Sequence, residues 1–243
     1  MIISNRLSKV ANLVTIGNRV ADIGCDHAYT SIYLIKNKIS SKIIAMDINQ
    51  GPLDRALENI KKYQYNKYIE TRLSNGLDKL KKDEVDTILI SGMGGNLIVD
   101  ILDKNLDTVY KVKELILQPQ SDIYKVREYI KRIGFMIIDE DILIDEDKYY
   151  NIIKTTNKRY INDDNIKDLE SKYDLIETEH IYYSRVLLER RNEVLKEFLE
   201  NQYNKKERII TNLLKNSSKA VNKRKETIIE EIKIIRQALK YYN

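Results

Sequence analysis

The feature that most constrains the fold is the stretch V-A-D-I-G-C-D-H-A-Y at residues 20–29. A short apolar run meets Gly24, and polar residues then lead into apolar positions at helical spacing, including Ile32 and Ile35. Such a pattern predicts a buried strand, a tight turn and a helix. A glycine at the turn lets the backbone approach a ligand at the carboxyl end of the strand. The stretch therefore predicts the first unit of an α/β nucleotide-binding sheet.

The alternation of strands and helices continues along the chain after a short amphipathic helix predicted at 5–16. Four further strands are predicted, at 42–47, 69–73, 85–90 and 114–120, and the first of these is expected to be buried. Strand–helix alternation predicts a parallel, Rossmann-like sheet. Residues 135–144 and 149–156 are then successive strands joined by an acidic turn, which predicts an antiparallel hairpin at the sheet edge. The predicted class is α/β.

The last third of the chain predicts a separate helical domain, so the expected division is 1–158 and 159–243. Two long helices are predicted beyond the polar linker 158–165, at roughly 180–203 and 205–240. In the second helix an apolar residue recurs every seven positions, at Leu214, Val221, Ile228 and Ile235. This spacing predicts a helical hairpin or coiled coil. Dimerisation of two chains through the same stripe is the alternative.

Composition excludes several classes of protein. With 243 residues and 42% hydrophobic content, the chain has room for one α/β domain and an appendage. Charge interrupts every apolar stretch before about 18 residues, and the N-terminus lacks the apolar core of a signal peptide, so a cytoplasmic protein is expected. One cysteine and two histidines give no internal disulfide and too few ligands for structural zinc. Cys25 is interpreted as a small buried thiol.

Positive charge is concentrated in the predicted tail. Residues 205–225 contain eight basic residues and one acid, whereas 160–204 contain six basic and eleven acidic residues. Lys215, Lys219 and Lys223 follow one another at helical spacing and share one face. We interpret this row as a candidate contact for nucleic-acid phosphates, with a solvated helix face as the alternative.

The turn after the first strand favours a cationic ligand. It lacks the G-x-G-x-x-G pattern that seats a dinucleotide, and Asp22 and Asp26 surround it instead. Because opposite charges attract, these acids suit an amine-bearing ligand such as S-adenosylmethionine (SAM), which carries a sulfonium and an ammonium group. Asp47, at the end of the second strand, is placed to accept hydrogen bonds from a ribose. The D-I-G turn resembles motif I of the SAM-dependent methyltransferases.

A more specific resemblance covers roughly residues 5–155. D-I-G-C-D-H-A-Y, S-G-M-G-G at 91–95, L-I-L-Q-P-Q at 115–120, Gly51-Pro52-Leu53 and K-Y-Y at 148–150 together resemble the TrmK family. These are bacterial methyltransferases that act on N1 of adenine 22 in tRNA. The resemblance implies a class I methyltransferase fold, SAM as cofactor, tRNA as partner and a tail that helps to hold it. A monomer without metal is expected.

The resemblance also implies roles for individual residues. The expected cofactor-binding residues are Asp22, Gly24, Asp47, Ile48, Asn75, Gly76, Gly92 and Gly94. The expected catalytic residues are Asp26, His27, Tyr29 and Met93. The expected substrate-binding residues are Arg6, Lys215, Lys219 and Lys223. This chain departs from the family at Asn75, where an acid is more usual.

The S-G-M-G-G loop bears on which nitrogen is methylated. Methyltransferases of exocyclic amino groups carry an N/D-P-P-Y/F loop after the fourth strand, and this chain has S-G-M-G-G there. The loop therefore favours a ring nitrogen. Two other functions remain open at this point: methylation of a small metabolite, and binding of SAM or RNA without catalysis.

Overall fold

A computed structural model describes residues 3–213 and 219–243 of the chain, and seven strands form one sheet in its first part. The strands are β1 (Val20–Ile23), β2 (Ile43–Asp47), β3 (Ile69–Leu73), β4 (Thr87–Met93), β5 (Glu114–Pro119), β6 (Phe135–Asp145) and β7 (Lys148–Asn157). Their order across the sheet is β3-β2-β1-β4-β5-β7-β6. The predicted α/β class is confirmed.

The central strands are parallel and buried, as their apolar runs predict. Val20 of β1 lies beside Ile43 of β2 on one side and beside Thr87 of β4 on the other. All four residues of β1 and all five of β2 are buried. Because chain order reverses direction at β1, the carboxyl ends of β1, β2 and β4 border the crevice where open α/β sheets bind ligands.

The predicted hairpin is confirmed, and it completes the sheet. Its turn residues Glu146 and Asp147 have φ of 47° and 59°, the left-handed pair that a two-residue hairpin turn requires. β7 pairs antiparallel with β5, so β6 becomes the edge strand.

Helices cover the sheet. They are α1 (Asn5–Asn12), α2 (Tyr29–Lys36), α3 (Gln50–Lys62), α4 (Gly95–Asp103), α5 (Leu106–Val109) and α6 (Ile123–Arg132). The expectation that the first helix extends to residue 16 is wrong. The backbone amide of Thr15 donates to the Glu114 carboxylate at 2.9 Å, and its hydroxyl donates to the same group at 2.6 Å. Because these hydrogen bonds tie Thr15 to β5, the chain does not continue as a helix to residue 16.

The described chain divides into two compact units, Met1–Lys172 and Tyr173–Asn243. The helix α7 (Asp163–Tyr173) begins within the predicted linker, which was expected to be unpatterned. The division expected at residue 158 stays a prediction. None of the helices in the described residues is long and apolar enough to cross a membrane.

The second unit contains α8 (Thr178–Tyr183), α9 (Arg185–Glu189), α10 (Glu193–Leu213) and α11 (Lys219–Leu239). The single helix expected at 180–203 is wrong, because the chain turns at Ser184 (φ 73°) and Arg191 (φ 51°). The Ser184 hydroxyl accepts a hydrogen bond from the Leu187 amide at 3.2 Å and so starts the next helix. α10 then runs through the break expected near residue 204.

α10 and α11 are antiparallel. Lys206 of α10 pairs with Glu231 of α11 at 2.5 Å, whereas Tyr203, earlier in α10, accepts a hydrogen bond at 2.9 Å from Arg236, later in α11. The two helices therefore run in opposite directions. Ile228 and Ile235 of the predicted apolar stripe are fully buried. Leu214, and the side chain of Val221, lie outside the described residues. Coiled-coil geometry stays a prediction.

Candidate active site

Two cavities open where β1, β2 and β4 end. The first has a volume of 270 Å³ and the second 310 Å³, and both are bordered by Gly24, Ser91 and Gly92. The first is also lined by Arg6, Asp22, Asp26, His27, Tyr29 and Gln120. The second is also lined by Asp47, Ile48, Asn75, Gly76, Met93 and Leu97. The fold thus gathers nearly all the predicted residues of its first unit around one shared wall.

Gly24 suits this wall because its backbone adopts a conformation that other residues rarely adopt. Its φ is +72°, and its amide donates to the Met46 carbonyl of β2 at 2.8 Å, which closes the turn after β1. A Cβ at this position would lie 2.3 Å from Cε of Met93. The tip of Met93 therefore occupies the space that a side chain would need.

Asp22 is a buried carboxylate at the floor of the first cavity. It is 4% exposed and accepts a hydrogen bond from the Ser31 hydroxyl at 2.6 Å. Its pKa is raised from 3.8 to about 6, because burial and, to a smaller extent, the charge of Asp47 raise it by more than the hydrogen bonds from Ser31 lower it. Among the described residues, no lysine or arginine forms an ion pair with it. A cationic group in the cavity would therefore stabilise this side chain strongly.

Asp47 and Asn75 place acceptors in the second cavity. The carboxylate of Asp47 is 9% exposed and accepts a hydrogen bond from the Asn49 amide at 2.9 Å. The amide nitrogen of Asn75 donates to Asp78 at 3.3 Å, which leaves its oxygen available. Ile48 and Leu97 are exposed apolar side chains on the same cavity. Acceptors between apolar walls suit a nucleoside.

The D-H-A-Y residues form the outer rim of the first cavity. The His27 and Tyr29 rings are stacked, with centroids 5.4 Å apart and planes 13° apart. Asp26 is exposed and lies 3.3 Å from the Arg55 guanidinium and 3.6 Å from His27 Nε2. Asn59 donates to the His27 carbonyl at 3.0 Å and so anchors the loop to α3. An aromatic face, an imidazole and a carboxylate are therefore presented together.

A polar cluster missed by the sequence analysis supports the shared wall. The amide oxygen of the fully buried Gln118 accepts three hydrogen bonds: from Arg6 at 2.8 Å, from the Ser91 hydroxyl at 3.1 Å and from the Gly92 amide at 3.1 Å. The Arg6 guanidinium also lies over the Tyr150 ring, 5.2 Å from its centroid. Because the Arg6 guanidinium also donates to the Ser91 hydroxyl at 3.4 Å, Arg6 is held at the cavity by partners on three strands.

Gln118 and Gln120 had no assigned role in the sequence, and Ser91 was included only as part of the S-G-M-G-G loop. Gln118 and Gln120 flank Pro119 in Q-P-Q at the end of β5, and that position at the carboxyl edge was the available signal.

Four predicted residues are not brought to either cavity by the described structure. Gly94 precedes α4 and lines neither cavity. Lys223 is exposed on α11 in the second unit. Lys215, and the side chain of Lys219, lie outside the described residues. The roles of these residues stay predictions.

Cys25 is a buried thiol, in agreement with its interpretation from the sequence. Burial, followed by the charges of Asp22 and Asp47, raises the pKa of its thiol well above the ordinary value, so it is not a thiolate nucleophile. The described residues contain no group of histidines, cysteines and acids able to hold a metal ion.

Comparison with known proteins adds to this geometry. Residues 3–153 match the model of the family described as Methyltransferase domain. A tRNA (adenine(22)-N(1))-methyltransferase of Bacillus subtilis is 38% identical over 151 residues, which are 62% of this chain and 63% of that protein, less than two thirds of its length. The crystal structure of the B. subtilis m1A22 tRNA methyltransferase TrmK is 28% identical with a TM-score of 0.86, covering 98% of this chain and 99% of that one. M. capricolum TrmK in complex with S-adenosyl-homocysteine is 28% identical with a TM-score of 0.82, and each chain is covered completely.

Proposed function

The chain belongs to the methyltransferase domain family, and on that premise we propose that it transfers a methyl group from SAM to N1 of adenine 22 in tRNA. The resemblance to the TrmK family that the sequence motifs carry is confirmed by the comparisons. The named activity of the Bacillus relative supports the choice of base and atom.

One observation carries the proposal: two cavities of different chemistry share the Gly24–Ser91–Gly92 wall. The second cavity fits the adenosine half of SAM, with Asp47 facing the ribose between apolar side chains. Asp22, a buried carboxylate without a cationic partner in the described residues, fits the ammonium group. When bound, SAM supplies a methyl group on a positively charged sulfur. The rest of the first cavity receives the target base.

The residues of the first cavity act mainly by alignment. Adenine N1 has an available lone pair, so the protein must orient the base and exclude water rather than activate a nucleophile. The stacked Tyr29 ring offers a face for the base. Positive charge develops on the ring, and Asp26 or His27 accepts a proton from the base's amino group. Met93, whose tip lies against Gly24 and lines the second cavity, helps to align the methyl group with the base.

The second unit is proposed to hold the tRNA backbone. Within the described residues Lys205, Arg208 and Lys223 are exposed basic side chains of this unit. Phosphates provide the complementary charge. We further propose that the protein acts as a monomer in the cytoplasm.

The test is mass spectrometry of the nucleosides, and of the ribonuclease fragments that locate them, from unmodified tRNA incubated with the protein and methyl-labelled SAM. Labelled N1-methyladenosine at position 22 is expected. Label on N6 would refute the assignment of a ring nitrogen. SAM binding without methyl transfer to any tRNA would refute the proposed methyltransferase activity. Methyl transfer to a metabolite, without inhibition by tRNA, would refute tRNA as the substrate.

A further inference from the structure

Methylation at N1 restricts how the protein can recognise adenine. The N1 lone pair must point toward the methyl group, so the edge that carries N1 is not free to pair fully with the protein. The adjacent Hoogsteen edge presents the N6 amino donor beside the N7 acceptor. A carboxamide is the side chain that matches this pair with two hydrogen bonds. A free carboxamide in the first cavity would therefore read the base.

Gln120 is such a group. It directly follows β5, and its backbone amide donates to the Met93 carbonyl at 2.9 Å, which fixes the residue beside the shared wall. Its Nε2 lies 3.8 Å from the position that a Cβ on Gly92 would occupy. The residue is exposed and lines the first cavity. Within the described residues its carboxamide has no hydrogen-bond partner, so it can turn to suit a ligand.

Three other polar side chains near this cavity do not match the adenine edge. Arg6 has donors only, which suit two acceptors rather than a donor and an acceptor, and it is bonded to Gln118 at 2.8 Å. Ionised Asp26 has acceptors only and lies 3.3 Å from Arg55. Gln118 is fully buried, and its oxygen already accepts three hydrogen bonds.

We propose that Gln120 determines specificity for adenine, its oxygen accepting from the N6 amino group and its nitrogen donating to N7. Guanine presents two acceptors on that edge, so the oxygen of the carboxamide would face the oxygen of the base. This proposal rests on the proposed function and adds the recognition of the base to it.

A cycle of protein and base changes tests the contact. Wild type and Gln120→Ala are each assayed for kcat/KM on tRNA with adenosine or 7-deazaadenosine at the target position. The deaza base lacks the N7 acceptor and should cost the wild type roughly 2- to 10-fold. Gln120→Ala removes both bonds and should cost roughly 5- to 150-fold on adenosine. The deaza base should then cost Gln120→Ala nothing further.

Two glutamine-to-asparagine substitutions test the reach of the carboxamide, one at Gln120 and one at a control position. Gln120→Asn keeps the carboxamide but withdraws it by about 1.5 Å, one carbon–carbon bond, and should lose activity. Gln64→Asn makes the same change at an exposed turn residue with φ of 62°, and should behave as wild type. SAM affinity, measured by calorimetry, should be the same in all four proteins.

The outcomes separate this inference from the function beneath it. If the wild type methylates adenine N1 while 7-deazaadenosine lowers kcat/KM by the same factor in Gln120→Ala as in the wild type, Gln120 does not contact N7. The inference alone is then overturned. Equal losses of SAM affinity and activity in Gln120→Ala would place the residue in the cofactor site and also overturn it. A wild type that transfers no methyl group to adenine N1 overturns the proposed function and the inference together.

Discussion

The substitution Asp22→Asn is expected to stabilise the ligand-free protein at neutral pH while it weakens SAM binding. Burial raises the pKa of Asp22 from 3.8 to about 6. At about 1.4 kcal/mol per pKa unit, the ionised side chain costs the folded state about 3 kcal/mol. Asparagine has nearly the same size, keeps an oxygen for the Ser31 hydroxyl and carries no charge. The free energy of unfolding should therefore rise by up to about 3 kcal/mol.

The sign of the pH dependence follows from the direction of this shift. Because the pKa of Asp22 is higher in the folded than in the unfolded state, the folded state binds more protons between pH 3.8 and about 6. The contribution of Asp22 to stability therefore falls as pH rises through this window and is at its most unfavourable above about pH 6. The variant lacks this dependence, so its advantage over wild type should vanish near about pH 4.

Urea unfolding followed by circular dichroism measures the difference, since the chain has no tryptophan. The control Asp107→Asn removes a carboxylate whose side chain is 85% exposed and should change stability by less than about 0.5 kcal/mol. Calorimetry should show SAM affinity reduced by about 1.5–3 kcal/mol in Asp22→Asn. A variant no more stable than wild type at neutral pH, or an advantage that does not change with pH, would refute a buried, ionised Asp22.

Three further changes test the remaining assignments. Asp47→Ala should weaken SAM binding by about 1–3 kcal/mol with the fold intact, because it removes the proposed ribose acceptor; unchanged affinity in calorimetry would exclude that role. Tyr29→Ala should reduce methyl transfer far more than SAM affinity, and equal losses would place the ring in the cofactor pocket. Neutralising Lys215, Lys219 and Lys223 together should raise the KM for tRNA and reduce the salt slope of binding by about 0.7–0.9 per lost phosphate contact; an unaltered slope would indicate a solvated helix face.

The sequence by itself determined the sheet and the position of the glycine turn after β1. Short apolar runs, separated by segments with helical spacing, predict buried parallel strands because each element must bury its own apolar face. The acids Asp22 and Asp47 and the turn glycine Gly24 stand at strand ends, and the carboxyl ends of parallel strands necessarily meet at one edge. Most of the predicted site was therefore visible before the structure.

Only the tertiary structure decided where helices stop and which polar groups meet. The first helix ends early because Thr15 bonds to Glu114, 99 residues away, and the predicted tail helix is interrupted where Ser184 has a positive φ. Arg6 and Gln118 are 112 residues apart, yet they form the hydrogen bond that supports the shared wall. The spacing of apolar residues along a chain predicts which face of one helix or strand is buried. It does not predict which side chain of a distant element will lie opposite, because that pairing depends on how the elements pack.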